Sequence, residues 1–289
     1  MTGGNGRIVI VERGQGVPVV LIPGIQGRWQ YFEPTFDALA RSCRAITFSL
    51  DGEPGAGRPF DRAAGVDGLA GQLEAVLDGL GLERAVLCGV SFGGLVALRF
   101  AATRPARTAG LILASTPGPG FHLRRRHEIY AKLPWLFGPV FLAEMPARVG
   151  KEVRAAIASR RERMQFTWRQ IRTFLKAPLS MPRMAARARL IGGPQEAERR
   201  RLEAAAIRVP TLVLTGESLL DHVVPAEGTS EYVSLIRGAA GRCIERSGHL
   251  GCITRPGAFA AAIMEFIRES GLSGLTGNVA AERSEHDAA

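Results

Sequence analysis

The sequence predicts an α/β protein: a mostly parallel central sheet flanked by helices, with a helical insertion near its middle. Three observations carry this. Short runs rich in Val, Ile and Leu recur along the 289 residues, bounded by Gly, Pro, Asp or Ser, as strands buried on both faces are. Amphipathic stretches long enough for crossover helices lie between them, and such alternation gives parallel strands joined by right-handed connections. The alternation breaks once, between Thr116 and Ile207, where the chain turns mainly helical.

In chain order, Arg7 to Val11 and Pro18 to Ile22 are the first predicted strands. Gly14-Gln15-Gly16 between them predicts an antiparallel hairpin at the N-terminal edge. A helix over Trp29 to Arg41 leads to a strand at Ala45 to Leu50, and a second helix over Gly68 to Leu80 leads to one at Ala85 to Cys88. The helix Phe92 to Ala102 ends at Arg104-Pro105 and precedes the strand Gly110 to Ala114. Pro117-Gly118-Pro119-Gly120 then opens the insertion, in which Val149, Val153, Ile157, Met164, Ile171 and Leu175 suit apolar helix faces. A strand at Thr211 to Thr215 and helices at Glu231 to Arg237 and Gly257 to Glu269 complete the alternation. The expected organisation is one core, 1–116 with 208–270, carrying a helical cap over 117–207. Residues 271–289 lack apolar periodicity and are expected to form a disordered tail.

A hydrophobic content of 46% supports a large buried core. Cys43, Cys88, Cys243 and Cys252 are scattered, without metal-ligand spacing, so neither a disulfide framework nor a metal site is expected. The N-terminus has no basic region followed by an apolar stretch, and no run nears the roughly 18 apolar residues that span a bilayer, so the expected compartment is the cytoplasm. The net charge of +10 is concentrated in one segment. Between Phe121 and Ala206 there are 19 Lys and Arg against 7 Asp and Glu, which leaves the rest of the chain at −2. A solvated outer face explains these cations most simply; attraction of an anionic substrate or of an acidic membrane surface is the alternative. The cap has no recognised nucleic-acid motif, so no nucleic-acid partner is expected.

The chemistry centres on Gly89-Val90-Ser91-Phe92-Gly93, set between a predicted strand and a predicted helix. A serine hydroxyl is a weak nucleophile and must stand proud of the backbone, where a histidine can take its proton. A sharp strand-to-helix turn achieves this, and Gly89 and Gly93 fall where a Cβ would clash. Of the five histidines, His122 and His127 lie in the cap's opening basic run, His222 abuts Asp221 and His286 lies in the expected tail. His249, within Ser247-Gly248-His249-Leu250-Gly251, is therefore the candidate base. Asp221 is the only aspartate between Asp78 and Asp287 and lies just past a predicted strand, where an open α/β sheet builds its site; Glu217 is its rival. The Phe92 N–H is one natural donor to a developing oxyanion. The other is expected from Pro23-Gly24-Ile25-Gln26-Gly27, where Gly24 permits a tight turn and the Ile25 N–H is the candidate.

Together these motifs resemble the α/β-hydrolase superfamily from Ile8 to Ile267. Pro23 to Trp29 is similar to its oxyanion loop, Gly89 to Gly94 to its nucleophile elbow, Gly216 through Asp221 to Val224-Pro225 to its acid loop, and Gly248-His249 to its histidine loop. Ser, Asp and His fall in the order this fold uses. The Gly-rich stretch Asp51 to Arg58 also looks like a loop of the family. The resemblance implies a cofactor-free serine hydrolase that cleaves a carboxylic ester or related acyl compound through an acyl-enzyme. Phe121, Trp135, Leu136, Phe137, Phe166, Trp168 and Phe174 favour a substrate with an apolar portion, although most are expected to pack the cap's own core. Two departures keep the substrate open: Pro23 stands where relatives usually carry a histidine that braces the oxyanion loop, and Val90 where many have a polar residue. Serine at position 91 argues against haloalkane dehalogenases and epoxide hydrolases, which use aspartate there. Three alternatives remain: a carbon–carbon bond hydrolase acting on dienoic diketone acids, a cofactor-free haloperoxidase or perhydrolase, and a slow or non-catalytic ligand receptor.

Overall fold

The structure, a computed structural model, describes residues 6–275. Its sheet comprises β1 (Ile10–Arg13), β2 (Pro18–Ile22), β3 (Arg44–Phe48), β4 (Ala85–Val90), β5 (Thr108–Ala114), β6 (Thr211–Gly216) and β7 (Ala240–Ile244), in the spatial order β1-β3-β2-β4-β5-β6-β7. All pairs are parallel except β1 with β3. The helices are α1 (Glu33–Leu39), α2 (Gly65–Gly79), α3 (Phe92–Thr103), α4 (Arg125–Lys132), α5 (Pro134–Ala156), α6 (Arg160–Lys176), α7 (Met181–Ala188), α8 (Pro194–Ala206), α9 (Ala226–Leu235), α10 (Gly251–Thr254) and α11 (Pro256–Glu269). A 3₁₀ turn, Trp29–Phe32, precedes α1.

Strand periodicity divides the core into two layers. Val20, Ile22, Ile46, Phe48, Leu87, Leu111 and Val213 face the side covered by α2 and α3. Their neighbours Val19, Leu21, Ala45, Val86, Ile112 and Leu212 face α1 and α11, meeting Phe36, Leu39, Phe259 and Ile263. Each such side chain withdrawn from water contributes about 1.5–3 kcal/mol, which makes the sheet a rigid platform for the loops at its carboxyl edge.

Four expectations need correction. The N-terminal hairpin does not form, because β3 lies between β1 and β2. Every residue of β2 is buried, and β2 takes parallel partners on both sides, which leaves the antiparallel edge of β3 to β1. The strand β7 answers only to the strand-like stretch expected before the His249 loop, which the sequence leaves without bounds. It is an edge strand with one buried residue, so its sequence carries no apolar run. The cap boundary at 207 runs too far: α8 returns to the core, where Arg99 on α3 pairs with Glu203 at 2.7 Å and Ala204 and Ile207 join the first core layer. The expected tail also starts too early, since Leu272–Gly274 form a 3₁₀ turn and Leu272 packs on the second layer. Residues 276–289 lie outside the described residues.

The cap's aromatic residues divide differently from the expectation. Phe121 and Phe166 pack against the core layers, and Phe137 stacks on Tyr130 at 5.2 Å. Trp135, Leu136, Trp168 and Phe174 are exposed.

Candidate active site

The elbow forms where β4 ends. Ser91 has φ 54° and ψ −122°, a conformation L-residues rarely adopt, and its N–H is held by the Ala114 carbonyl at 2.8 Å. The backbone approaches closely here. A Cβ on Gly93 would stand 2.3 Å from the Ile22 oxygen and 2.5 Å from that of Pro23, and one on Gly89 would stand 2.4 Å from the Gly93 oxygen. Gly93→Ala is accordingly expected to destabilise the fold by about 3 kcal/mol or more, read from the midpoint of urea unfolding.

Across the carboxyl edge, β6 delivers Asp221 and the loop after β7 delivers His249. The two loops meet at Gly248, where a Cβ would lie 2.4 Å from the Leu220 oxygen. His249 Nε2 lies 3.0 Å from Ser91 Oγ, and His249 Nδ1 lies 3.4 Å from Asp221 Oδ2. Asp221 Oδ1 accepts the N–H groups of Val223 at 3.0 Å and Val224 at 2.9 Å, which fixes the carboxylate. Glu217, the rival acid, turns away and accepts the Arg246 N–H at 2.6 Å.

Electrostatics suit a base beside an ionised acid. Burial alone pushes the Asp221 carboxyl up, but His249 and the two backbone donors outweigh it and hold Asp221 below the usual carboxylate range. Burial likewise disfavours a charged His249, yet the Asp221 carboxylate, its contact with the ring and Glu152 raise the imidazole above its ordinary 6.5.

The Ile25 loop runs beside the elbow, with Gly24 close enough that a Cβ would sit 3.4 Å from Ser91 Cβ. Neither the Ile25 nor the Phe92 N–H donates to a backbone carbonyl among the described residues. His122 and His222 have no part in this cluster, His127 packs near Tyr130 and Phe141, and His286 lies outside the described residues.

Two cap residues that the sequence does not single out join the site from behind. Arg187 on α7 is fully buried. Its guanidinium donates to the Ile25 carbonyl at 3.1 Å, to Glu53 Oε1 at 2.9 Å and to the Asp51 carbonyl at 2.9 Å. The Ile25 loop, in which Pro23 has no side-chain donor, is thus held by a side chain from the cap. Glu53 also pairs with Arg183 at 2.9 Å. The signal in the sequence is an arginine set among alanines, Ala185-Ala186-Arg187-Ala188, on a face too small to be a solvated charge stripe. Arg187→Met leaves the Ile25 and Asp51 carbonyls without this donor and Glu53 with Arg183 as its remaining close partner, so a loss of about 1–3 kcal/mol is expected in chemical denaturation.

Glu152 on α5 is also buried. Its carboxylate accepts the Leu250 N–H at 3.1 Å and the Thr254 hydroxyl at 3.2 Å, directly behind His249. Burial pushes its pKa above the ordinary value, and these donors offset part of that. Glu152→Ala orphans the Leu250 N–H, while the Thr254 hydroxyl keeps the Leu250 carbonyl as an acceptor at 3.0 Å, at an expected cost of about 1–3 kcal/mol. It also removes a negative charge near the imidazole, so the acid limb of any His249-dependent rate moves to lower pH.

Residues 19–262 match the family described as the alpha/beta hydrolase family. The chain belongs to it. This hydrolase is 26% identical to 2-hydroxymuconate semialdehyde hydrolase from Pseudomonas sp. (strain CF600), over 93% of each chain. It is 30% identical to the polyketide synthase ThaQ of Burkholderia thailandensis over 92% of its own length, and spans 12% of that much longer protein. Among solved structures, the enol-lactonase from Burkholderia xenovorans LB400 shares the fold at a TM-score of 0.73 with 20% identity, over 90% of this chain and 96% of that one. The chain is an enzyme of the alpha/beta hydrolase type. No helix among the described residues is long and apolar enough to cross a membrane.

Proposed function

We propose that this hydrolase cleaves a carboxylic ester or related acyl compound through a Ser91 acyl-enzyme. The observation that carries this is His249 Nε2 at 3.0 Å from Ser91 Oγ, with the opposite ring nitrogen against Asp221. Ser91 Oγ attacks the carbonyl carbon as His249 Nε2 takes its proton. Asp221 holds the tautomer that accepts that proton and stabilises the resulting imidazolium. The Ile25 and Phe92 N–H groups receive the oxyanion of the tetrahedral intermediate. When the intermediate collapses, the leaving-group oxygen takes the proton from His249. Water, deprotonated by the same nitrogen, then attacks the acyl-enzyme and returns the acid and free Ser91.

A second reading, hydrolysis of a carbon–carbon bond on the same residues, is favoured by the similarity to 2-hydroxymuconate semialdehyde hydrolase over nearly the full length of both chains. Measuring kcat/KM for short p-nitrophenyl esters beside a dienoic keto acid separates the two. The ester reading expects the esters to be turned over faster; a preference for the keto acid by tenfold or more would transfer the site to carbon–carbon cleavage.

A further inference from the structure

The helix α6 has no buried residue, and its apolar stripe faces outward. Met164, Trp168, Ile171 and Leu175 follow the i, i+4, i+7, i+11 spacing of one helical face, and they are 63%, 62%, 43% and 73% exposed. The inner face carries Phe166, which packs on the core. The helix is fixed at both ends: Ser159 Oγ accepts the Glu162 N–H, and the Tyr31 hydroxyl donates to the Ala177 carbonyl just beyond its last turn at 2.9 Å. Tyr31 belongs to the 3₁₀ turn that follows the Ile25 loop, so the C-terminal end of α6 is tied to that turn.

Cations flank the stripe. Arg160, Arg161, Arg163, Arg169, Arg172 and Lys176 lie on α6 with Glu162 as its single acid. None of these six cations forms an ion pair among the described residues, and Arg163 is turned onto the Ile157 and Ala158 carbonyls at 2.8 and 2.6 Å. The outer face of α6 carries Arg160, Arg163, Met164, Thr167, Trp168 and Ile171 side by side, open to solvent. Guanidinium groups next to an apolar stripe match a phosphate ester joined to acyl chains.

We propose that α6 docks on an anionic phospholipid surface, with Met164, Trp168, Ile171 and Leu175 entering the headgroup and acyl boundary and the flanking cations meeting acidic headgroups. A narrow apolar stripe bordered by Arg or Lys is the pattern of a helix lying in a membrane interface. A second copy fits less well, because pairing this face with itself would bring the cations beside the stripe, Arg160, Arg161 and Arg172, against their own copies.

The test uses the full-length wild-type chain with phosphatidylcholine vesicles, and with vesicles of phosphatidylcholine mixed with phosphatidylglycerol, at low and high salt. Co-sedimentation and tryptophan emission report binding. Binding at least about tenfold tighter to the anionic vesicles is expected, weakened by salt. Each of Arg160→Gln, Arg161→Gln and Arg172→Gln should weaken it by about fivefold. Trp168→Ser and Leu175→Ser should weaken it as well, while circular dichroism and thermal unfolding stay as in wild type, since these side chains are exposed. No binding to anionic vesicles, equal binding to both kinds, or binding indifferent to Trp168→Ser and Leu175→Ser would each overturn the proposal. A dimer in sedimentation equilibrium that Trp168→Ser dissociates would assign the face to a second copy instead.

Discussion

Ser91→Ala is expected to lower kcat toward a p-nitrophenyl ester by about 10⁶-fold, with folding stability changed by no more than about 0.5 kcal/mol. Removing Oγ takes away the only atom at the elbow that can form the acyl bond. The turn itself depends on Gly89 and Gly93 and on the Ser91 N–H bound to Ala114, none of which alanine disturbs. His249→Ala should cost about as much, because an unactivated serine is nearly as inert as a missing one. The double variant should be no slower than either single one, since residues that act as a unit do not contribute additively. Steady-state kinetics on the three variants check this. Losses that multiplied would mean that Ser91 and His249 act separately.

The second large effect is expected at Asp221. Asp221→Asn keeps the shape of the side chain but can turn an N–H toward His249 Nδ1, which favours the tautomer with Nε2 protonated and unable to accept the Ser91 proton. A fall in kcat of about 10⁴ is expected, by analogy with the same substitution in a serine-protease triad. The pH profile supplies an independent readout. Only the neutral imidazole accepts a proton, so on the proposed mechanism kcat/KM is expected to fall as pH drops through the His249 pKa, which the Asp221 carboxylate raises. Without the carboxylate charge the limb moves to lower pH. Burial then acts on the ring with only Glu152 to oppose it. An unmoved limb in Asp221→Asn would mean that another acid sets the imidazole.

The fold was legible wherever a single strand had to be buried on both faces. Pro18–Ile22, Ala85–Val90 and Thr211–Gly216 carry near-continuous apolar runs, and the loops at their carboxyl ends hold Ile25, Ser91 and Asp221. The resemblance to the family was equally legible, since it rests on contiguous motifs. What escaped was long-range. That β1 pairs with β3 rather than with its sequence neighbour is decided by which edge β2 leaves open, not by the Gly14–Gly16 turn. The edge strand β7 is defined by hydrogen bonds to β6 and has little apolar signal of its own.

The same distinction separates the residues at the site. Ser91, Asp221 and His249 announce themselves through local glycines, strand ends and chain order. Arg187 and Glu152 act on backbone groups 162 and 98 residues away in sequence, and in a basic, amphipathic cap each looks like one more solvated charge. The alanine-flanked position of Arg187 is a usable clue, whereas Glu152 has none. Outward-facing Trp168 shows the converse: an apolar residue at helical spacing was expected to pack a cap core, and only the placement of Phe166 against the sheet reveals that the stripe faces the other way.

The most direct measurement is labelling of the purified protein with a fluorophosphonate, followed by peptide mass spectrometry. The account predicts one phosphonyl group per chain, carried by the peptide that contains Ser91, and loss of labelling in both Ser91→Ala and His249→Ala. Labelling that survives Ser91→Ala, or a wild-type protein that turns over esters without being labelled, would contradict it.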